Sequence, residues 1–194
     1  MSLLTPLLRT DALTAVFSDE QLVQGMLDFE AALAKAQARC GIIPHEAVEP
    51  IVAACQAQRL DFPALAAAAA NAGNLAIPLV KQLTQVVKAS APEAARYVHW
   101  GATSQDAIDT GLMLQLQQAL QQTESRLQRL LHELAQQAAR SQHTLMAGPT
   151  CHPPSLLLPC GLNLPGTLDA LSHRHHRLHL MRPRLLTSPF GGSS

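Results

Sequence analysis

The chain has 194 residues, equal numbers of basic and acidic side chains, and a formal net charge of zero. This balance argues against a protein that binds nucleic acid by neutralising phosphates. Hydrophobic residues make up 47% of the chain but aromatic residues only 3%, so alanine, leucine and valine dominate the apolar mass and favour packed helices over sheets. We therefore expect an all-α fold of one domain or slightly more.

The sequence contains no sign of membrane insertion or export. No apolar run approaches the roughly 18 residues that a membrane-spanning helix needs. The N-terminal segment has no basic leader, so we expect no signal peptide and a cytoplasmic location. The cysteines form no CxxC pair and are expected to be reduced thiols: Cys40, Cys55, Cys151 and Cys160.

The first half of the chain is predicted to form a series of helices. A helical region over residues 11–40 has Ser18 as an N-cap and ends at Gly41. Its apolar positions recur every three or four residues and form one stripe: Leu22, Met26, Phe29, Leu33 and Ala36. Further helices are predicted over residues 46–58, 62–70 and 75–89, with a loop at 71–74.

The longest predicted helix runs from Gln105 to Ser141, with Thr103 or Ser104 as its cap. Its leucine stripe is continuous, and at 1.5 Å per residue it would be about 50 Å long. Because this exceeds the core of one small domain, we expect the helix to belong to a bundle, and a bundle made between chains is one alternative.

The character of the sequence changes after Gly148. Prolines are expected to interrupt regular structure as far as Thr167, and a histidine-rich helix is predicted over residues 168–181. The last residues, 189–194, are typical of a cut made inside a larger protein.

One string, His99-Trp-Gly-Ala-Thr-Ser-Gln-Asp106, combines an imidazole, a glycine turn and two hydroxyls at a predicted helix start. Hydroxyls and free backbone N–H groups at such a position can bind a carboxylate or phosphate. His99 beside them could donate a proton or a hydrogen bond near pH 7. The alternative is that Thr103 or Ser104 only caps the helix and that His99 is a core residue.

This string, followed by Ile108-Asp-Thr110, closely resembles the first signature region of the fumarase/aspartase superfamily. Residues 17–20, 26–33 and 73–81 are most similar to the cycloisomerase branch of that superfamily. The resemblance is good over residues 3–148. It implies a fumarase/aspartase-like all-α fold, with a small N-terminal helical domain at 1–103 and the start of a central helical bundle at 104–194.

The resemblance also implies an activity. Members of this branch need no cofactor or metal and add a carboxylate across a carbon–carbon double bond of 3-carboxy-cis,cis-muconate, a tricarboxylate of the β-ketoadipate route. Thr103 and Ser104 match the carboxylate-binding pair, and His99 matches the imidazole of the first region, expected to be catalytic. Asn74 falls where adenylosuccinate lyases have a substrate-contacting histidine. An adenylosuccinate lyase-type activity is the alternative within the superfamily.

The resemblance further implies a homotetramer that associates through the bundle, with each active site drawn from three chains. The second signature region departs from the family at Pro149, Cys151 and Pro153, and the third, a loop with a reactive serine, does not occur in this sequence. A catalytically inactive helical assembly fragment is therefore the alternative from another class.

A zinc site is a further alternative. His175 and His179 are spaced i, i+4, which suits two ligands on one helix face. Cys151, His152 and Cys160 would have to complete it, although these cysteines lack the usual short spacing. The competing interpretation is a solvated basic helix face.

Overall fold

The computed structural model describes residues 9–147, 157–159, 163–187 and 190–191, and within them it confirms the all-α fold. The helices are α1 Asp11–Val16, α2 Asp19–Arg39, α3 Val48–Ala54, α4 Phe62–Ala72, α5 Ala76–Ser90, α6 Ser104–Arg140 and α7 Asn163–Leu185. Short 3₁₀ turns lie at His45–Ala47, Ala57–Arg59 and Ala94–Tyr97. Strands β1, Leu145–Ala147, and β2, Leu157–Pro159, pair antiparallel over three residues each.

The chain divides into two compact units. The first comprises Met1–Gln118 with Leu186–Ser194, and the second comprises Ala119–Leu185. This division is based on contacts within one chain and does not test the domain boundary expected between residues 103 and 104. That boundary stays a prediction. No helix of the described ranges combines the length and apolarity needed to cross a membrane.

Local sequence signals account for α2. The Ser18 hydroxyl accepts a hydrogen bond from the backbone N–H of Gln21 at 3.3 Å, as the predicted N-cap requires. The helix ends before Gly41, whose φ of +70° is a left-handed conformation that glycine adopts without steric cost. The predicted apolar stripe is buried at Met26 and Leu33.

The core of the first unit lies between α2, α3, α4 and α5. Its fully buried large apolar side chains are Met26, Leu27, Ile51, Leu65, Leu79, Leu83 and Val87. Each such side chain stabilises the fold by roughly 1.5–3 kcal/mol relative to its exposed state. This core supports α2, which in turn carries the polar residues of the candidate site.

Two glycines let α2 and α6 approach until their backbones touch. A Cβ atom added to Gly25 would lie 3.0 Å from the Cα of Gly111, and one added to Gly111 would lie 2.9 Å from Cγ of Met26. Gln115, one turn further along α6, donates from its buried amide to the carbonyl of Val16 at 3.0 Å. The first part of α6 is therefore fixed against the start of α2.

Three sequence predictions of element boundaries need correction. The helix expected over residues 46–58 is a short α3 with a 3₁₀ turn on each side, and α4 continues through Asn71 to Ala72. The helix expected from residue 168 begins at Asn163 and ends at Leu185. Pro165 does not prevent this earlier start, because in the first turn its missing N–H has no helical partner to lose.

The second unit contains the C-terminal part of α6, the β1–β2 pair and α7. A salt bridge joins Arg182 of α7 to Glu124 of α6 at 3.0 Å, with the Glu124 side chain only 12% exposed. Most other side chains of this unit are half-buried or exposed. The continuous α6 measures 37 residues, or about 55 Å.

Candidate active site at the start of helix α6

The predicted site residues His99, Thr103 and Ser104 lie in and just after one loop, between the 3₁₀ turn Ala94–Tyr97 and α6. Gly101 in this loop has a φ of +69°. His99 has a φ of +58°, a left-handed conformation that is uncommon for a residue with a side chain. Such a conformation persists only where surrounding contacts hold it.

Glu30 of α2 provides the strongest of these contacts. Its Oε1 atom lies 2.5 Å from Nδ1 of His99. The Glu30 side chain is 1% exposed and that of His99 is 16% exposed, so water screens the pair poorly. Because Nδ1 is engaged, Nε2 is the ring nitrogen left for another partner.

Gln37 of α2 provides a second contact to the same loop. Its side-chain amide donates to the backbone carbonyl of Trp100 at 2.6 Å. Glu30 and Gln37 are seven residues apart, so they lie on the same face of α2, two turns from each other. That face therefore holds two consecutive residues of the loop, His99 and Trp100.

A side chain from the first turn of α6 caps the N-terminus of this helix. Oδ2 of Asp106 accepts a hydrogen bond from the backbone N–H of Thr103 at 2.8 Å, which is half of a capping box. Oδ1 of Asp106 accepts from the backbone N–H of Gly191 at 3.3 Å. Thr103 and Ser104 are both half-buried, at the positive end of the α6 dipole.

Asn74 lies elsewhere in the first unit, at the start of α5. Its side-chain oxygen accepts a hydrogen bond from the backbone N–H of Ala76 at 2.7 Å and so forms an Asx turn that leads into the helix. Within the described residues, no hydrogen bond joins Asn74 to His99, Thr103 or Ser104. The structure thus brings three of the four predicted site residues together in one segment.

A buried thiol lies within the electrostatic reach of Glu30. Burial, with the negative charges of Glu30 and Asp28 as smaller causes, raises the pKa of Cys55 to about 12. Cys55 is therefore a neutral thiol at physiological pH, and it acts as a core residue rather than as a nucleophile.

The described residues contain no cluster of three or more histidine, cysteine or acidic side chains able to hold a metal ion. His175 and His179 do lie on α7. The other candidates for the zinc alternative, Cys151, His152 and Cys160, fall outside the described residues, as do Pro149 and Pro153 of the second signature region.

Sequence reasoning overlooked Glu30 and Gln37. Their signal was present: both lie on the apolar face of α2, where Met26, Leu33 and Ala34 are buried. A charged residue at such a position is rarely buried without a partner. This pattern predicts a buried polar contact but does not identify the partner, which is distant in sequence.

A cleft with a volume of about 560 Å³ is lined by residues outside this loop. It lies between α2 and α3, and its lining residues include Lys35, Arg39, His45 and Glu49. His99, Thr103 and Ser104 do not line it. The loop is an open surface feature of the single chain, with the Trp100 side chain 51% exposed.

Comparison with known proteins places this arrangement in a family. The Lyase family model matches residues 8–194. The 3-carboxy-cis,cis-muconate cycloisomerase of Pseudomonas aeruginosa is 55% identical over 93% of this chain and 39% of its own length. The protein of the same name from Pseudomonas putida is 50% identical over 94% of this chain and 43% of its own length.

A solved structure agrees with these relatives. The crystal structure of the 3-carboxy-cis,cis-muconate lactonizing enzyme from Pseudomonas putida superposes with a TM-score of 0.93 at 50% identity, over 99% of this chain and 44% of that one. The chain thus spans about two fifths of the length of the curated relatives it matches. By family model, identity and fold, the chain belongs to the lyase family of the fumarase/aspartase superfamily.

Proposed function

We propose that the protein to which this chain belongs is a cycloisomerase that interconverts 3-carboxy-cis,cis-muconate and 4-carboxymuconolactone. The observation that carries the proposal is the loop from His99 to Ser104, held against α2 and leading into α6, in a chain 50–55% identical to proteins of that name. The same proposal assigns the protein to a β-ketoadipate route in the cytoplasm and requires no cofactor or metal.

The start of α6 would bind a substrate carboxylate. The hydroxyls of Thr103 and Ser104 can donate hydrogen bonds to its oxygens, and the helix dipole favours negative charge there. Asp106 accepts from the Thr103 N–H, so this backbone group is engaged and the hydroxyls are the main donors. Asn74 is assigned a weaker role in binding, through its side-chain NH₂, because its oxygen already accepts from the Ala76 N–H.

His99 would donate or accept the transferred proton at its Nε2 atom. In lactone formation one substrate carboxylate adds across the double bond, and the adjacent carbon receives a proton. In reverse, a proton leaves that carbon and the charge is delocalised into the neighbouring carboxyl group as an aci-carboxylate. Fixed donors around that group would stabilise the developing charge without reorganisation.

We also propose that the site is completed in a homotetramer. The single chain leaves large apolar side chains exposed on its long helices: Leu112 and Leu130 of α6, and Leu180, Met181 and Leu185 of α7. Apolar side chains exposed along long helices are typical of surfaces buried by other helices of a bundle. A bundle of four chains, with each site drawn from three of them, would cover these residues.

Substrate turnover tests the function. The ultraviolet absorbance of the conjugated diene falls as carboxymuconate cyclises, so the protein purified from its native source should remove it. Its intact mass, compared with the 20.8 kDa of this chain, identifies which polypeptide carries the activity. Turnover of adenylosuccinate instead would favour the adenylosuccinate lyase-type activity. If neither substrate were consumed, the alternative of a catalytically inactive helical assembly fragment would be favoured.

A substitution at Ser104 tests the proposed carboxylate-binding site. We expect Ser104→Ala to raise KM about tenfold, because one charge-assisted hydrogen bond to a carboxylate contributes roughly 1.5–3 kcal/mol. Ser90→Ala is the matched control, since the Ser90 hydroxyl bonds only the Val87 carbonyl at the end of α5. Unchanged KM and kcat for Ser104→Ala would refute the carboxylate-binding role.

A further inference from the structure

We propose that Glu30 is a positioning residue that fixes the imidazole of His99, so that Nδ1 always carries a proton and the exchangeable proton resides on Nε2. The catalytic consequence rests on the proposed function, whereas the effect on the imidazole does not. Glu30 lies in the family-like stretch 26–33 but outside the signature string His99–Asp106, and it contacts the loop only through the fold.

Glu30 and His99 are joined by a direct hydrogen bond. Oε1 and Nδ1 lie 2.5 Å apart, which leaves no room for water or another group between them. An ionised carboxylate can only accept, so the nitrogen must donate. In the neutral imidazole the other nitrogen then has no proton, and in the imidazolium it carries the second one.

Burial makes this preference strong. The Glu30 side chain is 1% exposed, and its second oxygen, Oε2, has no hydrogen-bond partner among the described residues. The buried carboxylate therefore depends on His99 for its one described donor. If Nδ1 had no proton, two acceptors would face each other and the buried carboxylate would lose its donor.

A second contact from the same face of α2 fixes the backbone that follows His99. His99 adopts its left-handed conformation while Gln37 draws the next carbonyl, that of Trp100, toward α2. Two contacts from one rigid helix therefore define both the direction of the His99 side chain and the path of the loop. Positioned groups of this kind reduce the rearrangement needed during proton transfer.

The direct test is nitrogen NMR of the His99 ring, which distinguishes a protonated ring nitrogen from an unprotonated one. The spectrum is recorded on the whole protein, at a pH where His99 is neutral, and assigned with the His99→Asn variant. We expect a protonated Nδ1 and an unprotonated Nε2. A protonated Nε2 in the wild-type protein would overturn the proposal, and this measurement requires neither substrate nor a folded Glu30 variant.

Variants test the consequence for turnover. In Glu30→Gln the side-chain amide can donate to Nδ1 and so stabilise the opposite tautomer. We expect kcat to fall at least tenfold with KM changed less than threefold, and Glu30→Asp to restore part of kcat. Gln37→Leu is the control: it removes the contact to Trp100 but should leave the His99 tautomer unchanged.

The outcomes separate the two proposals. A wild-type protein with the expected tautomer but no turnover of carboxymuconate would refute the proposed function and retain the role of Glu30. Wild-type kcat in a folded Glu30→Gln protein would refute the positioning role and leave the function intact.

Discussion

Nδ1 of His99 and Oε1 of Glu30 lie 2.5 Å apart although 69 residues separate them in the chain. The imidazole of the loop that resembles the family signature is therefore held by a helix from the beginning of the chain. Because α2 is packed into the core of the first unit, the imidazole has a rigid support.

The backbone strain at His99 can be measured. His99→Gly and His99→Ala both remove the imidazole, but only alanine keeps the steric cost of a φ of +58°. We expect the glycine variant to be more stable by about 1 kcal/mol in urea denaturation, because a left-handed residue with a Cβ costs roughly that much. At Gln117, an exposed residue in the interior of α6, the order should reverse by about 1 kcal/mol, since glycine weakens an ordinary helix. If the glycine variant were the more stable one, or the less stable one, at both positions, the backbone strain at His99 would be contradicted.

The contact between α2 and α6 should tolerate no added methyl group. Gly25→Ala would place its Cβ 3.0 Å from the Gly111 backbone, and Gly111→Ala would press on Met26. We expect each to lower the free energy of unfolding by roughly 1–3 kcal/mol. Gly166→Ala is the control, because an added Cβ there meets no atom within 4 Å and alanine favours the helix. Equal stability of all three variants would show that the helices can separate at no cost.

Long-range contacts mark the limit of what the sequence could predict. The Ser18 cap and the 37-residue α6 follow from local signals, a capping side chain and a helical apolar period, and the structure confirms both. The pairing of Glu30 with His99 depends on tertiary packing that no local pattern encodes. The start of α7 differs from the prediction because Pro165 lies in the first turn of the helix, where proline does not interrupt it. The roles of Thr103, Ser104 and Asn74 stay predictions.

The cysteines should differ sharply in reactivity. Cys40 is exposed, whereas Cys55 is buried with a pKa raised to about 12. At pH 8 we expect iodoacetamide to modify Cys40 within minutes and Cys55 only after denaturation, because the thiolate is the nucleophile. Peptide mass spectrometry distinguishes the two sites. Modification of Cys55 in the native protein at a comparable rate would contradict its burial.

The same pKa shift predicts a loss of stability in alkali. Between the ordinary thiol value of 9.0 and about 12, the unfolded chain loses the Cys55 proton while the folded chain keeps it. The contribution of this group is therefore fully present below pH 9 and decreases as the pH rises through that window. Cys55→Ala should show a shallower decline than the wild-type protein when unfolding is measured at pH 8 and pH 10. Parallel declines would refute the shift.

Two ion pairs of arginine, one partly buried and one exposed, should contribute unequally. Glu124 is 12% exposed beside Arg182, whereas Glu93 and Arg96 are 81% and 67% exposed. Arg182→Met leaves a largely buried carboxylate without its partner, so we expect a loss of more than about 1 kcal/mol in the free energy of unfolding. Arg96→Met should change it by less than about 0.5 kcal/mol. Similar losses for both variants would contradict this ranking.

The aromatic pair of the loop makes the candidate site visible in solution. Trp100, half-exposed, lies 6.0 Å from Tyr97 between ring centroids, and these are the one tryptophan and the one tyrosine of the sequence. The intrinsic fluorescence of the chain therefore arises beside His99, with energy transfer from the phenol to the indole at short range. Any molecule or subunit that covers Trp100 should move its emission to shorter wavelengths, so an unlabelled protein reports directly on ligand binding and assembly at this loop.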